Sequence, residues 1–240
     1  MKKASALWLS LSLGLAFLAS AHAGPITFSN TSGNLGQGTV GNNITQTVSG
    51  ETVTATAWSV TGNGGTTFQT AALGQYSGLG LGVCNVDELA ATGGCQSPQH
   101  EVDDSGQFDF VLFHFSSPVT AVSIVIDPVC DCNTDASYIA GNNLSPSGDT
   151  LAQLGTFTTN NETTPDVTRT ITISGLNDVN SLLFGASILG NDNYFKIQSI
   201  TVTEGASAAS VPEPATFGLA GVALIGLALV GRKRRKHRAR

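Results

Sequence analysis

Phe108-Asp-Phe-Val-Leu-Phe-His-Phe115 is apolar on both of its alternating faces. That pattern predicts a central strand covered on both sides. Around it the chain is rich in Thr, Ser, Asn and Gly, Val and Ile exceed what loops need, and no segment keeps a helical period. Strands are expected at Gly24–Ser29, Ile44–Val48, Thr52–Val60, Phe68–Leu73, Phe108–Phe115, Ala121–Ile126, Leu151–Thr158, Thr168–Ser174, Ser181–Ile188 and Tyr194–Thr203. Many short strands punctuated by Gly, Asn, Asp and Pro point to an all-β domain, a β-sandwich or jelly roll, and roughly 180 residues suit a single one. Gly74 to Gln107 reads as one long acidic, Gly-rich loop.

The two ends do not belong to that fold. Met1-Lys2-Lys3, the apolar stretch Ala6 to Ala19 and the small residues Ala21-His22-Ala23 have the layout of a secretory signal peptide over 1–23, cut before Gly24 by signal peptidase. At the other end, residues 211–240 follow an extracellular β domain at 24–204 and a flexible linker, GASAAS, at 205–210. Pro212-Glu213-Pro214 cannot continue a helix. Residues 215–231 carry no charge and are read as a single transmembrane helix, somewhat short of the roughly 20 residues of an untilted span. Arg232, Lys233, Arg234, Arg235 and Lys236 then mark the cytoplasmic side, so the body faces outward.

These three elements in this order resemble the PEP-CTERM sorting signal of Gram-negative bacteria. The resemblance implies recognition by an exosortase, passage through an inner-membrane intermediate, removal of the tail and delivery to the cell surface or an exopolysaccharide matrix. The body in turn resembles a recurrent PEP-CTERM surface domain, on Gly80-Leu-Gly-Val-Cys-Asn85, His100-Glu-Val-Asp-Asp104, Asp109 to Phe115 and Tyr194-Phe-Lys-Ile197. Asp104 stands where that type more often has Asn. The implied fold is extracellular and β.

With the ends removed, two cations, Arg169 and Lys196, face sixteen carboxylates, a formal charge of −14. So acidic a body repels phosphate backbones, which excludes nucleic acid as a partner and is compatible with divalent cations. Four cysteines, Cys84, Cys95, Cys130 and Cys132, favour disulfides in an exported chain. Cys84–Cys95 with Cys130–Cys132 is preferred, the first closing a short loop through Gly93-Gly94; a crosswise pairing stays open.

Asp131-Cys-Asn133-Thr-Asp135 has the alternation that gathers oxygen ligands, which makes calcium the candidate cofactor, although Ala136 and Asn142 rule out an EF-hand. Glu101, Asp103 and Asp104 form a second oxygen-rich cluster. Tyr76, Tyr138 and Trp58 are candidates for stacking on sugar rings. His100 and His114 lack a nucleophile placed by a motif, and Gly36 to Gly41 spells G-x-G-x-x-G without opening a helix. The expected protein is therefore not an enzyme but an exported surface or exopolysaccharide-matrix component, structural or adhesive. A calcium-stabilised carbohydrate-binding module is the first alternative and a polysaccharide hydrolase acting through paired carboxylates the second.

Overall fold

The structure, a computed structural model, describes residues 24–60, 66–92, 100–162, 164, 166–190 and 192–205. The signal peptide, the linker beyond 205, Cys95 and the whole C-terminal signal with Pro212, Glu213, Pro214 and the basic cluster lie outside those residues. In chain order come β1 (Ile26–Ser29), β2 (Asn43–Val48), β3 (Glu51–Val60), β4 (Phe68–Thr70), β5 (Ala72–Tyr76), β6 (Gly80–Cys84), α1 (Val86–Thr92) and β7 (Val102–Asp103). They are followed by β8 (Phe108–Pro128), β9 (Ala136–Gly141), the single turn α2 (Leu151–Leu154), β10 (Thr158–Asn160), β11 (Arg169–Ile173), β12 (Val179–Ala186) and β13 (Tyr194–Glu204). The body is all-β, with the helices confined to two short pieces, and its strands belong to one compact unit, His22–Ala208.

β8 organises the sheet. Over Phe108–Phe115 it lies between β3, with Val53 opposite Phe115 and Val60 opposite Phe108, and β12, with Ser181 opposite His114 and Gly185 opposite Phe110. Past Pro118 it changes partners and runs between β11 and β13, with Ile171 and Ile200 both opposite Ile124. Ser116 and Glu51 stabilise the change, because Thr52 N–H donates to Ser116 Oγ at 2.9 Å and Ser117 N–H to Glu51 Oε1 at 3.1 Å. The strands at 108–115 and 121–126 are thus one element, not two.

Alternation along β8 builds two apolar regions. Val111, Phe113 and Phe115 from its first half meet Val122, Ile124 and Ile126 from its second in the larger core, together with Phe28, Phe184, Phe195, Ile200 and Val202. Phe110 and Leu112 point the other way, into a smaller cluster with Val60, Phe68 and Leu183 that Leu151, Leu154 and Phe157 help to cover. Asp109 to Phe113 is therefore covered on both faces, while His114 on the second face is exposed, and burying each of the buried aromatic rings contributes about 1.5–3 kcal/mol.

Four expectations need correction. The stretch Gly74–Gln107 is not one loop: it completes the β5–β6 hairpin, turned at Gly78 with φ +78°, and carries α1 and β7. Its glycines hold strand geometry because the neighbouring backbone leaves no room for side chains; a Cβ on Gly82 would overlap His100 O. Leu151–Thr158 is not a strand but a helical turn followed by β10, since Thr150 and Gln153 form a reciprocal capping box. Phe68–Leu73 breaks at Ala71, β4 joining β3 and β5 joining β6. β9, where only Tyr138 and Ile139 among small residues favour a strand, is fixed by pairing with β12 and β10.

Candidate functional site

Three carboxylates from three elements converge beside β6. Asn85 caps α1, its Oδ1 accepting from Asp87 N–H at 3.2 Å and Glu88 N–H at 3.0 Å, while Glu88 Oε2 accepts from Asn85 N–H at 3.0 Å. This capping box turns Glu88 back toward the sheet. β7 pairs with β13, Asp103 opposite Tyr194, and Asp103 Oδ1 accepts Ser105 N–H at 2.8 Å. Asp109 is the second residue of β8, opposite Ser59 on β3. One carboxylate oxygen from each of Glu88, Asp103 and Asp109 lies within 4.8 Å of the other two.

Within the group, Asp109 is the member buried without partners. Asp109 has no exposed surface and neither carboxylate oxygen makes a hydrogen bond; the Asn85 side chain and the Asp103 backbone are near enough to ease its charge, but not in bonding geometry. Ser59 Oγ beside it and Gln107 Oε1 are also buried and unbonded. Burial pushes the Asp103 carboxyl up to about 8, with Glu88 adding to the effect, and Glu88 up to about 7. Asp109 rises well above the usual carboxylate range, first from burial and then from Asp103 and Glu88.

Lys196 on β13 is the nearby cation. Its Nζ donates to His100 O at 2.6 Å and lies 4.9 Å from the centre of the Tyr76 ring, which stacks on His100 at 4.7 Å. Burial lowers Lys196 to about 8, against the pull of Glu101, Asp103 and Glu88. Burial raises Tyr76 to about 12, with Glu101 assisting, and raises Glu101 as well. One ammonium faces four carboxylates, an imbalance that favours protonation or an added cation.

Of the second acidic cluster expected from sequence, the fold uses Asp103 but divides its neighbours. Asp104 turns away to accept from Asn193 N–H at 3.0 Å and Asn193 Nδ2 at 2.6 Å, and Glu101 sits with Lys196. Glu88 and Asp109 were missed. The capping sequence Asn85-x-x-Glu88 and a single acid between Phe108 and Phe110 were the available signals.

The other candidates stand apart. Cys130 and Cys132 are joined, with Cα atoms 5.1 Å apart, and no cysteine among the described residues is free. Around them, Asp131 is exposed, Asn133 bridges Asn193 through the backbone, and Asp135 Oδ1 accepts Glu162 N–H at 2.6 Å. Arg169 ties the segment down through Thr134 Oγ1 at 3.0 Å, Asn160 Oδ1 at 2.7 Å, Asn160 O at 3.1 Å and Thr134 O. Tyr76 and Tyr138 lie on β5 and β9, which β12, β8, β13 and β6 separate in hydrogen-bonding order, so they share no neighbouring-strand platform. Trp58 packs against the smaller core cluster, and His114 Nδ1 is 3.1 Å from Ser181 Oγ. Gly24, after the expected signal-peptide cut, is exposed.

The body defines a class, an all-β domain whose acidic residues converge on a buried centre, and the tail supplies the address. Residues 210–235 match the PEP-CTERM protein-sorting motif. The chain carries that motif, which marks it for export and exosortase-dependent sorting to the cell surface. No curated protein matches the chain.

Proposed function

We propose that the chain is a structural or adhesive component of the cell surface or exopolysaccharide matrix, processed at both ends. Signal peptidase removes 1–23 after Ala23, leaving Gly24 first. The apolar span 215–231 holds the protein briefly in the inner membrane with Arg232 to Lys236 on the cytoplasmic side, and an exosortase severs the tail near Pro212-Glu213-Pro214. The observation that carries this reading is the sorting motif at 210–235, joined to an all-β body. We read the two halves of the sheet as the layers of a β-sandwich, because both send side chains into one core. Intact-mass analysis of protein from a native-type host, with and without its exosortase, tests the proposal. The expected result is loss of the tail only where the exosortase is present, and the same C-terminus in both strains would overturn it.

A calcium-stabilised carbohydrate-binding module is the second reading, favoured by the buried carboxylates. Glycan arrays with and without chelator distinguish it. Burial of Asp103 and Asp109 speaks against a polysaccharide hydrolase, whose acid and base must reach a glycosidic bond.

A further inference from the structure

We propose that Glu88, Asp103 and Asp109 bind one divalent cation, calcium, which fastens α1 and β7 to β8. The site differs from the acidic turn at Asp131 to Asp135, and it needs no role in glycan binding.

The geometry suits the ion. Calcium holds oxygen ligands at 2.3–2.6 Å, so two ligands of one ion lie at most about 5 Å apart. The three carboxylate oxygens lie within 4.8 Å of one another. All three donors are hard carboxylate oxygens, which suit calcium or magnesium better than zinc. Glu88 is half-exposed at the rim, which gives an ion a way in, while Asp103 and Asp109 form a buried floor.

A cluster of acids alone would not point to a ligand, since exposed carboxylates are often crowded. Asp109 is the independent sign. Its side chain is fully buried, both oxygens lack hydrogen bonds, and one of them lies within 4.8 Å of a carboxylate oxygen of Glu88 and of Asp103. Buried carboxylates are ordinarily paired, hydrogen-bonded or bound to metal. Lys196 does not fill the role: its ammonium donates to His100 O and is drawn to Glu101, Asp103 and Glu88, and it makes no hydrogen bond to Asp109. The unbonded hydroxyl oxygen of Ser59, opposite Asp109, offers a further oxygen donor for the ion or for water held by it. Six to eight ligands are normal for calcium, so water would complete the shell.

The full-length protein in mild detergent is stripped with chelator at neutral pH, and calcium is titrated by calorimetry and by thermal melting. The expected result is binding that raises the melting temperature and weakens at least about tenfold in Asp109→Asn, as loss of a first-rank ligand requires. Should Asp109→Asn fail to fold, Glu88→Gln at the rim supplies the same comparison. No binding by the parent, undiminished affinity in the variant that folds, or tighter binding of zinc than of calcium would each overturn the proposal.

Discussion

The stability of the chelator-treated protein should fall between pH 5 and pH 8. In the folded state Asp103 holds its proton up to about pH 8, whereas in the unfolded chain it releases it near 3.8, the ordinary value of an aspartate. Between those values the native state binds more protons than the unfolded state, so stability decreases as pH rises, by up to about 1.4 kcal/mol per pH unit for one group. Across the whole interval the loss is on the order of 5 kcal/mol, a large part of the 5–15 kcal/mol that holds a typical domain together. Lys196 acts in the opposite sense. Its folded value of about 8 lies below the ordinary lysine value of 10.5, so between them the unfolded chain holds the extra proton and this group's contribution rises with pH, by roughly 3 kcal/mol. Glu88, whose carboxyl holds its proton up to about 7, adds to the fall below pH 8, and Lys196 opposes the carboxylates only above it. Urea unfolding followed by circular dichroism at half-unit steps of pH measures the curve. Repulsion among the excess carboxylates of the body also weakens the fold as pH rises. Asp103→Asn separates the two, since it should make the fall below pH 8 shallower, leaving the part due to Glu88 and general repulsion in place. A parent protein equally stable at pH 5 and pH 8, or a variant with the parent's slope, would refute the reasoning.

Three substitutions probe the rest of the structure. Gly82→Ala would drive a Cβ into His100 O and to 3.1 Å from Lys196 Nζ, parting Val83 N–H from Glu101 O; a loss of at least about 3 kcal/mol is expected from the urea midpoint. Arg169→Met removes four hydrogen bonds around Thr134 and Asn160, and thermal melting should report about 2 kcal/mol of destabilisation from the carbonyls left unpaired. Phe113→Ala should cost about 3–5 kcal/mol, whereas His114→Ala, exposed and bonded only to Ser181 among the described residues, should stay within about 1 kcal/mol; comparable losses at both positions would contradict the alternation along β8.

How far the sequence speaks follows from whether the deciding contacts are local. Phe108–Phe115 could be placed because its two apolar faces are written in consecutive residues, and the sorting motif because proline, an apolar run and arginines are read in order. The capping boxes at Asn85-x-x-Glu88 and Thr150-x-x-Gln153 were also local, but Gly-rich and Thr-rich surroundings hid them. β9 could not be found that way, since Ala136 to Gly141 becomes a strand only by lying between β10 and β12. The carboxylate centre belongs to the same kind. Asp103 reaches it through pairing with Tyr194, Glu88 through a helix cap and Asp109 through a strand interior, three arrangements with nothing in common along the chain.

Asp109 nevertheless leaves a trace that periodicity alone can expose. Its position in β8 shares a face with Val111, Phe113 and Phe115, where an apolar residue would add its transfer energy to the core and a carboxylate subtracts from it. A strand this well determined gains nothing in folding from such a residue. Departures of that sort from the apolar pattern gather where a protein does something other than fold. Asp109→Val in chelator should therefore be more stable than the parent by urea unfolding, and calcium should reverse the order. A parent that remains the less stable at saturating calcium would mean that the carboxylate holds no ion.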